Sequence, residues 1–130
     1  MILADTSAWI DHFNGTPSPA AASLLRALAS EKVVVGDLIM AEVLQGIRHE
    51  SDVLKTAELL YTHPVSALCG PEIAEEAAYN YRFLRRQGIT IRGTIDVIIA
   101  TWCISVGARI IHNDRDLAVM EDALGLRRYE

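Results

Sequence analysis

A chain of 130 residues with 51% hydrophobic residues is one domain (residues 1–130) with enough apolar side chains for a real core, which excludes disorder. Its net charge of −5 argues against bulk nucleic-acid binding through surplus Lys and Arg, unless the acids are gathered in one pocket and neutralised by cations. The apolar segment Val97 to Ala108 is bracketed by Asp96 and Arg109 and falls short of the roughly 20 residues of a membrane span.

At the N-terminus Ile2-Leu3-Ala4 predicts a short buried strand that stops at Asp5-Thr6-Ser7, residues suited to a turn and a helix cap. Asp5 also interrupts any signal-peptide layout, so a soluble cytoplasmic protein is expected. Trp9, Ile10 and Phe13 share a helical face before Asn14-Gly15. Ser18-Pro19 opens a helix carrying Ala22, Leu24, Leu25 and Leu28. Val33 to Val35 reads as a second buried strand closed by Gly36, and a helix follows from Leu38 to about Arg48, with Asp37 as its cap and Glu42 one turn in.

A further helix spans about Ser51 to Tyr61, and a third strand is expected within Pro64 to Leu68. Gly70-Pro71 then opens a helix with Glu72, Glu75 and Glu76 early and Arg82, Arg85 and Arg86 late, the charge order that a helix dipole favours. After it, Thr94 is placed to cap an almost wholly apolar helix from Asp96 to Val106, which Gly107 stops. Arg109 to His112 predicts a fourth strand ending in the turn former Asn113-Asp114. A last helix, Leu117 to Leu124, and a strand over Arg127 to Tyr129 complete the chain, and Asp116 suits the cap of that helix better than Asp114 does. Cys69 and Cys103 have no metal-binding spacing and read as reduced structural residues.

Strands alternating with helices predict an α/β chain folded as a three-layer α/β/α domain around a central, mostly parallel sheet. In such sheets ligands bind beyond the carboxyl ends of the strands. Asp5 and Asp114 follow strands directly, and Glu42 and Asp96 lie near the starts of helices at the same rim.

Each acid taken singly also has a plain structural use: Asp5 as a turn residue, Glu42 as a solvated helix position, Asp96 as a favourable charge at a helix start. Together they would repel one another without a cation. Oxygen donors with no convergent His or Cys favour a hard ion, Mg²⁺ or Mn²⁺, and the chemistry implied is phosphodiester hydrolysis. His12, His49, His63 and His112 are too scattered for a zinc site. Arg85, Arg86 and Arg92 are candidate contacts to RNA phosphates.

Four segments, Ile2 to Ser7, Ala41 to Gly46, Thr94 to Ala100 and His112 to Leu117, resemble in order and spacing the signature segments of PIN-domain ribonucleases, and of VapC toxins of type II toxin–antitoxin modules in particular. The resemblance implies a Mg²⁺- or Mn²⁺-dependent endoribonuclease that leaves a 5′-phosphate and a 3′-hydroxyl. It also implies a homodimer and inhibition by a cognate VapB-like antitoxin, with DNA reached only through that antitoxin. Carried over by position, Asp5, Glu42, Asp96 and Asp114 are the catalytic and metal-holding acids, Thr6 or Ser7 is the supporting hydroxyl, and Asp116 is an additional acid. Leu117 and Thr101 depart from the usual Phe and Ala, as packing changes that remove no acid. The Ser18–Ala29 and Leu38–Ile47 helices are expected to form an apolar groove for a partner helix. Two other readings stay open: a DNA- or flap-directed metal nuclease, and a Mg²⁺-binding signalling module, for which Lys32 and Lys55 are poorly placed.

Overall fold

The structure, a computed structural model, describes residues 1–130. In chain order the elements are β1 (Ile2–Ala4), α1 (Thr6–Asn14), α2 (Pro19–Ser30), β2 (Val33–Gly36), α3 (Asp37–Gln45), α4 (Glu50–Leu60), β3 (Val65–Ser66), α5 (Pro71–Arg86), α6 (Thr94–Val106), β4 (Arg109–Ile111) and α7 (Arg115–Leu124). The strands form one sheet in the order β3-β2-β1-β4, and every pairing is parallel. Leu3 pairs with Val34 on one side and Ile110 on the other, so β1 is central. All of β1 and β2 is buried, as strands covered on both faces must be.

The strand order carries the functional consequence. From β1 the chain steps outward through β2 to β3, then crosses back to add β4 on the opposite side of β1. Right-handed crossovers of opposite direction place their helices on opposite faces, consistent with α1 packing on α2 and α3, and α5 packing on α6. The reversal opens a crevice at the carboxyl ends of β1 and β4. Asp5 and His112 are the residues that follow those two ends.

Local chemistry explains most boundaries. The Ser18 side chain accepts the Ala21 amide and Pro19 occupies the first helical position, so α2 starts where the sequence predicts. Gly107 takes the left-handed conformation, φ 74°, that ends α6 and lets the chain turn directly into β4. Gly36 has a different reason: a Cβ there would lie 2.4 Å from Leu68 Cδ1, so only glycine lets the segment after β3 pack onto β2.

Several boundary expectations are corrected. The cap of α6 is Gly93 rather than Thr94, and that of α3 is Gly36 rather than Asp37. The Asp37 carboxylate instead accepts the amides of Leu38 and Leu68, tying α3 to the segment after β3. Helix α3 stops at Gln45, well before Arg48. The cap of α7 is Asp114, not Asp116: its Oδ1 accepts the amides of Asp116 and Leu117. Strand β4 ends at Ile111, and the strand expected over Arg127 to Tyr129 shortens to one parallel bridge between Arg128 and Ile110.

Helix α6 is the central helix, with Val97, Ile99, Ala100, Thr101, Trp102 and Cys103 buried, although Ile95, Ile104 and Val106 reach solvent at its ends. Thr101 is accommodated there because its hydroxyl donates to the Val97 carbonyl and accepts from Asn80. Leu117, Trp9 and Trp102 are core residues, and both cysteines are free thiols. No helix is long and apolar enough to cross a membrane.

Candidate metal centre at the sheet switch point

Asp5 leaves β1 at the crevice and is 8% exposed. Its own amide donates to the Ile111 carbonyl, which locks the start of α1 to the end of β4. Burial, offset in part by the Thr6 amide, raises its carboxyl to about 6, and the charges of Asp96, Glu42 and Asp114 add to the rise. Asp96, half-buried in the first turn of α6, is likewise raised to about 6, first by burial and then by Asp114, Asp116 and Glu42. Carboxylates that raise one another in this way share one site.

The remaining acids are set by specific bonds. Glu42 projects from α3, and its Oε1 accepts the Thr6 hydroxyl at 2.7 Å, a link across the start of α1. Asp114 spends Oδ1 on capping α7, while Oδ2 makes no hydrogen bond. Oxygens of Asp96, Asp114 and Asp116 all lie within 4.8 Å of one another. Asp5, Glu42, Asp96 and Asp114 are thus brought to one rim, and Asp116 joins them closely.

Of the two supporting hydroxyls, Thr6 is engaged, whereas Ser7 is exposed and bonds to none of the acids. Arg85, Arg86 and Arg92 are exposed and form no ion pair, and Arg85 lies 5.9 Å from the Tyr81 ring. The ion pairs of the chain, Arg109–Glu31, Arg128–Glu121 and His112–Glu121, leave every acid of the rim without a cationic partner. Lys32 sits at the opposite end of the sheet, where its carbonyl meets the Ile2 amide, and neither it nor Lys55 pairs with any of the acids.

These observations test whether a divalent ion suits the residues. A set of oxygen donors with no protein counter-charge, in which Asp5 and Asp96 have raised proton affinity, matches the ligand chemistry of Mg²⁺ or Mn²⁺. Beneath the site, burial and then the Asp5 charge push the Cys103 thiol up to about 12, so it stays protonated and inert.

One residue set aside at the sequence level gains a role. His112 is 5% exposed, and its Nδ1 accepts the Asp114 amide at 3.1 Å. A ring nitrogen that accepts carries no proton, so the proton is on Nε2, which donates to Glu121 Oε2. Burial lowers the His112 pKa, in keeping with this neutral form. Arg128 approaches the same Nε2, but its partner is Glu121 Oε2, which it meets through Nη2 at 2.9 Å and Nε at 3.0 Å. The only sequence signal was a histidine two positions before a candidate acid.

Comparison with known proteins agrees with the geometry. The PIN-domain family matches residues 2–123. A VapC ribonuclease of Mycobacterium bovis and the ribonuclease VapC11 of Mycobacterium tuberculosis are each 35% identical over 122 residues, spanning 92% of this chain and 91% of theirs. Among solved structures, VapBC2 from Rickettsia felis, bound to a DNA fragment of its promoter, superposes with a TM-score of 0.76 over 98% of this chain and 97% of that one, at 14% identity. With the acids at the switch point, the parallel sheet order and this similarity together, the chain belongs to the PIN-domain family, on the branch of the VapC ribonucleases.

Proposed function

We propose that the chain is a Mg²⁺- or Mn²⁺-dependent endoribonuclease in which Asp5, Glu42, Asp96 and Asp114 hold one or two ions and Asp116 completes the acidic rim. The observation that carries this reading is the convergence of unpaired carboxylates, two of them raised to about 6, at the crevice between β1 and β4. A bound Mg²⁺ or Mn²⁺ supplies charge neutralisation at a phosphoryl oxygen and a water of lowered pKa.

The chain's own residues do the rest. Asp5 is fixed at the end of β1 by its backbone bond to Ile111, so its carboxylate leaves the sheet at a set point before anything binds. Thr6 restrains Glu42, and the cap of α7 restrains Asp114 with Oδ2 free to ligate. Arg85, Arg86 and Arg92, exposed and without ion-pair partners, are free to meet phosphates of the RNA. Cleavage of an RNA by wild type with Mg²⁺, compared with EDTA and with Asp5→Asn and Asp96→Asn, tests the mechanism, and activity surviving chelation and both substitutions contradicts it. A matched DNA digest separates this reading from a DNA- or flap-directed nuclease.

The partner we propose is a VapB-like antitoxin, which alone would bring the complex to DNA. A surface cavity of about 550 Å³, lined by Ile10 and Phe13 of α1, Val43 of α3 and Leu59 of α4 with Lys55 at its side, offers apolar surface for a partner helix next to α3. Supporting a homodimer, Tyr79, Ile95, Ile104 and Val106 expose apolar surface on α5 and α6. Reduced thiols fit work in the cytoplasm. Co-expression with the neighbouring reading frame and sedimentation of the purified product test both assemblies.

A further inference from the structure

We infer that His112 is a positioning residue for the metal centre, held in place by Glu121 and Arg128, and that it sets the direction of Asp114 through the hydrogen bond from the Asp114 amide. This rests on the reading of Asp114 as a metal-holding acid.

The turn from β4 into α7 has to aim the Asp114 carboxylate back over the sheet edge. The cap bonds from Oδ1 to the amides of Asp116 and Leu117 fix the side chain relative to α7. They do not fix α7 relative to the sheet. Burial of Leu117 and Met120 seats α7 on the core, and the imidazole, which stands at the end of β4 and takes the Asp114 amide on Nδ1, adds the directional restraint on its first turn. Its Nε2–H is anchored by Glu121, a residue of α7 itself, so the ring clamps the first turn of α7 and the later Glu121 position at once. Glu121 is in turn gripped by two nitrogens of Arg128, from the segment bridged to Ile110.

The result is a closed circuit from β4 through His112, Glu121 and Arg128 back to β4. Its members are not ligands, and none of them touches Asp5, Glu42 or Asp96. Groups that orient ligands from behind typically change metal affinity by 10- to 100-fold when removed. An aliphatic side chain could fill the space of the ring. It could not accept the Asp114 amide.

The experiment compares His112→Leu, which fills the space without an acceptor, with His112→Asn, whose Oδ1 can stand where Nδ1 stands. Both are read by Mn²⁺ dissociation constant from titration calorimetry and by amide hydrogen exchange at Asp114 in the metal-free protein. His112→Leu is expected to weaken Mn²⁺ binding by about tenfold and to lose protection of the Asp114 amide, while His112→Asn keeps both within a few-fold of wild type. Equal losses in the two variants, or wild-type Mn²⁺ affinity and protection in a folded His112→Leu protein, overturn the inference. If His112→Leu does not fold, Glu121→Ala, at a partly exposed position, frees the ring and is expected to weaken Mn²⁺ binding several-fold. Unchanged Mn²⁺ affinity in Glu121→Ala overturns it equally. Wild type that binds no Mn²⁺ sinks the metal reading itself, and the exchange measurement still judges the hydrogen bond separately.

Discussion

Replacing Asp5 by Asn should stabilise the metal-free protein at neutral pH, and the structure gives the sign, the size and the pH window. The Asp5 carboxyl rises from 3.8 to about 6 on folding, chiefly by burial. The folded state therefore binds the proton more tightly than the unfolded state, and folding stability falls as pH climbs through that window. Below about pH 3 both states are largely protonated and the penalty vanishes, and above about pH 6 it is complete. Two pKa units at 1.36 kcal/mol each amount to about 3 kcal/mol, little screened by solvent because Asp5 is only 8% exposed.

Asparagine carries no charge and keeps an acceptor for the Thr6 amide. At pH 7.5 in EDTA, Asp5→Asn should thus unfold about 2–3 kcal/mol harder than wild type, a Tm gain of roughly 6–10 °C for a domain of this size. At pH 4 the gap should shrink to about half a kcal/mol. Excess Mg²⁺ should then raise the Tm of wild type more than that of the variant. Thermal melts by circular dichroism at the two pH values, with and without Mg²⁺, measure all of this. A variant less stable than wild type at pH 7.5 without metal, or a difference that does not change with pH, refutes the electrostatic argument.

Asp96→Asn should shift stability in the same direction over the same pH range, by less, because Asp96 is only half-buried and solvent screens its charge. Thr6→Val removes the hydroxyl that holds Glu42 Oε1 at 2.7 Å, and should lower kcat by about tenfold with little change in Tm, whereas unchanged kcat would remove Thr6 from the site. Gly36→Ala puts a Cβ against Leu68 Cδ1 and should cost about 1–3 kcal/mol in chemical denaturation, with Leu68→Ala in the same chain returning part of it. Cys103 should resist alkylation in the folded protein at pH 8 while the partly exposed Cys69 reacts, as mass spectrometry of iodoacetamide-treated protein would show.

The sheet and the positions of Asp5 and Asp114 were legible in the sequence because they follow from one-dimensional signals. Ile2-Leu3-Ala4 and Val33-Val34-Val35 are short and apolar as buried parallel strands are, and an acid one to three residues after such a strand, as Asp5 and Asp114 are, stays near its rim. The N-caps of α3, α6 and α7 were not legible. Thr94, Asp37 and Asp116 all have cap chemistry, but caps depend on which residue keeps extended backbone, and each of those three lies inside its helix. Asp116 therefore came free to join Asp96 and Asp114.

Contacts across large sequence separations were also out of reach. The bond between Thr6 and Glu42, and that between Asp37 and the Leu68 amide, depend on how α1, α3 and the segment after β3 pack around β2. A histidine that looks unattached in a list of scattered histidines turned out to be buried beside an acid, because α7 returns Glu121 to it from nine residues further on. The groove lined by α1, α3 and α4 likewise reflects where α1 packs, which hydrophobic periodicity alone does not specify.

The central claim is that the acids at the β1–β4 crevice are held together for a divalent cation. Anomalous diffraction from crystals soaked in Mn²⁺ tests it most directly. The account predicts a manganese peak in contact with carboxylate oxygens of at least three of Asp5, Glu42, Asp96, Asp114 and Asp116. Well-ordered crystals soaked at millimolar Mn²⁺ with no peak at that crevice, or with the acids paired to Lys or Arg of the same chain, would contradict it.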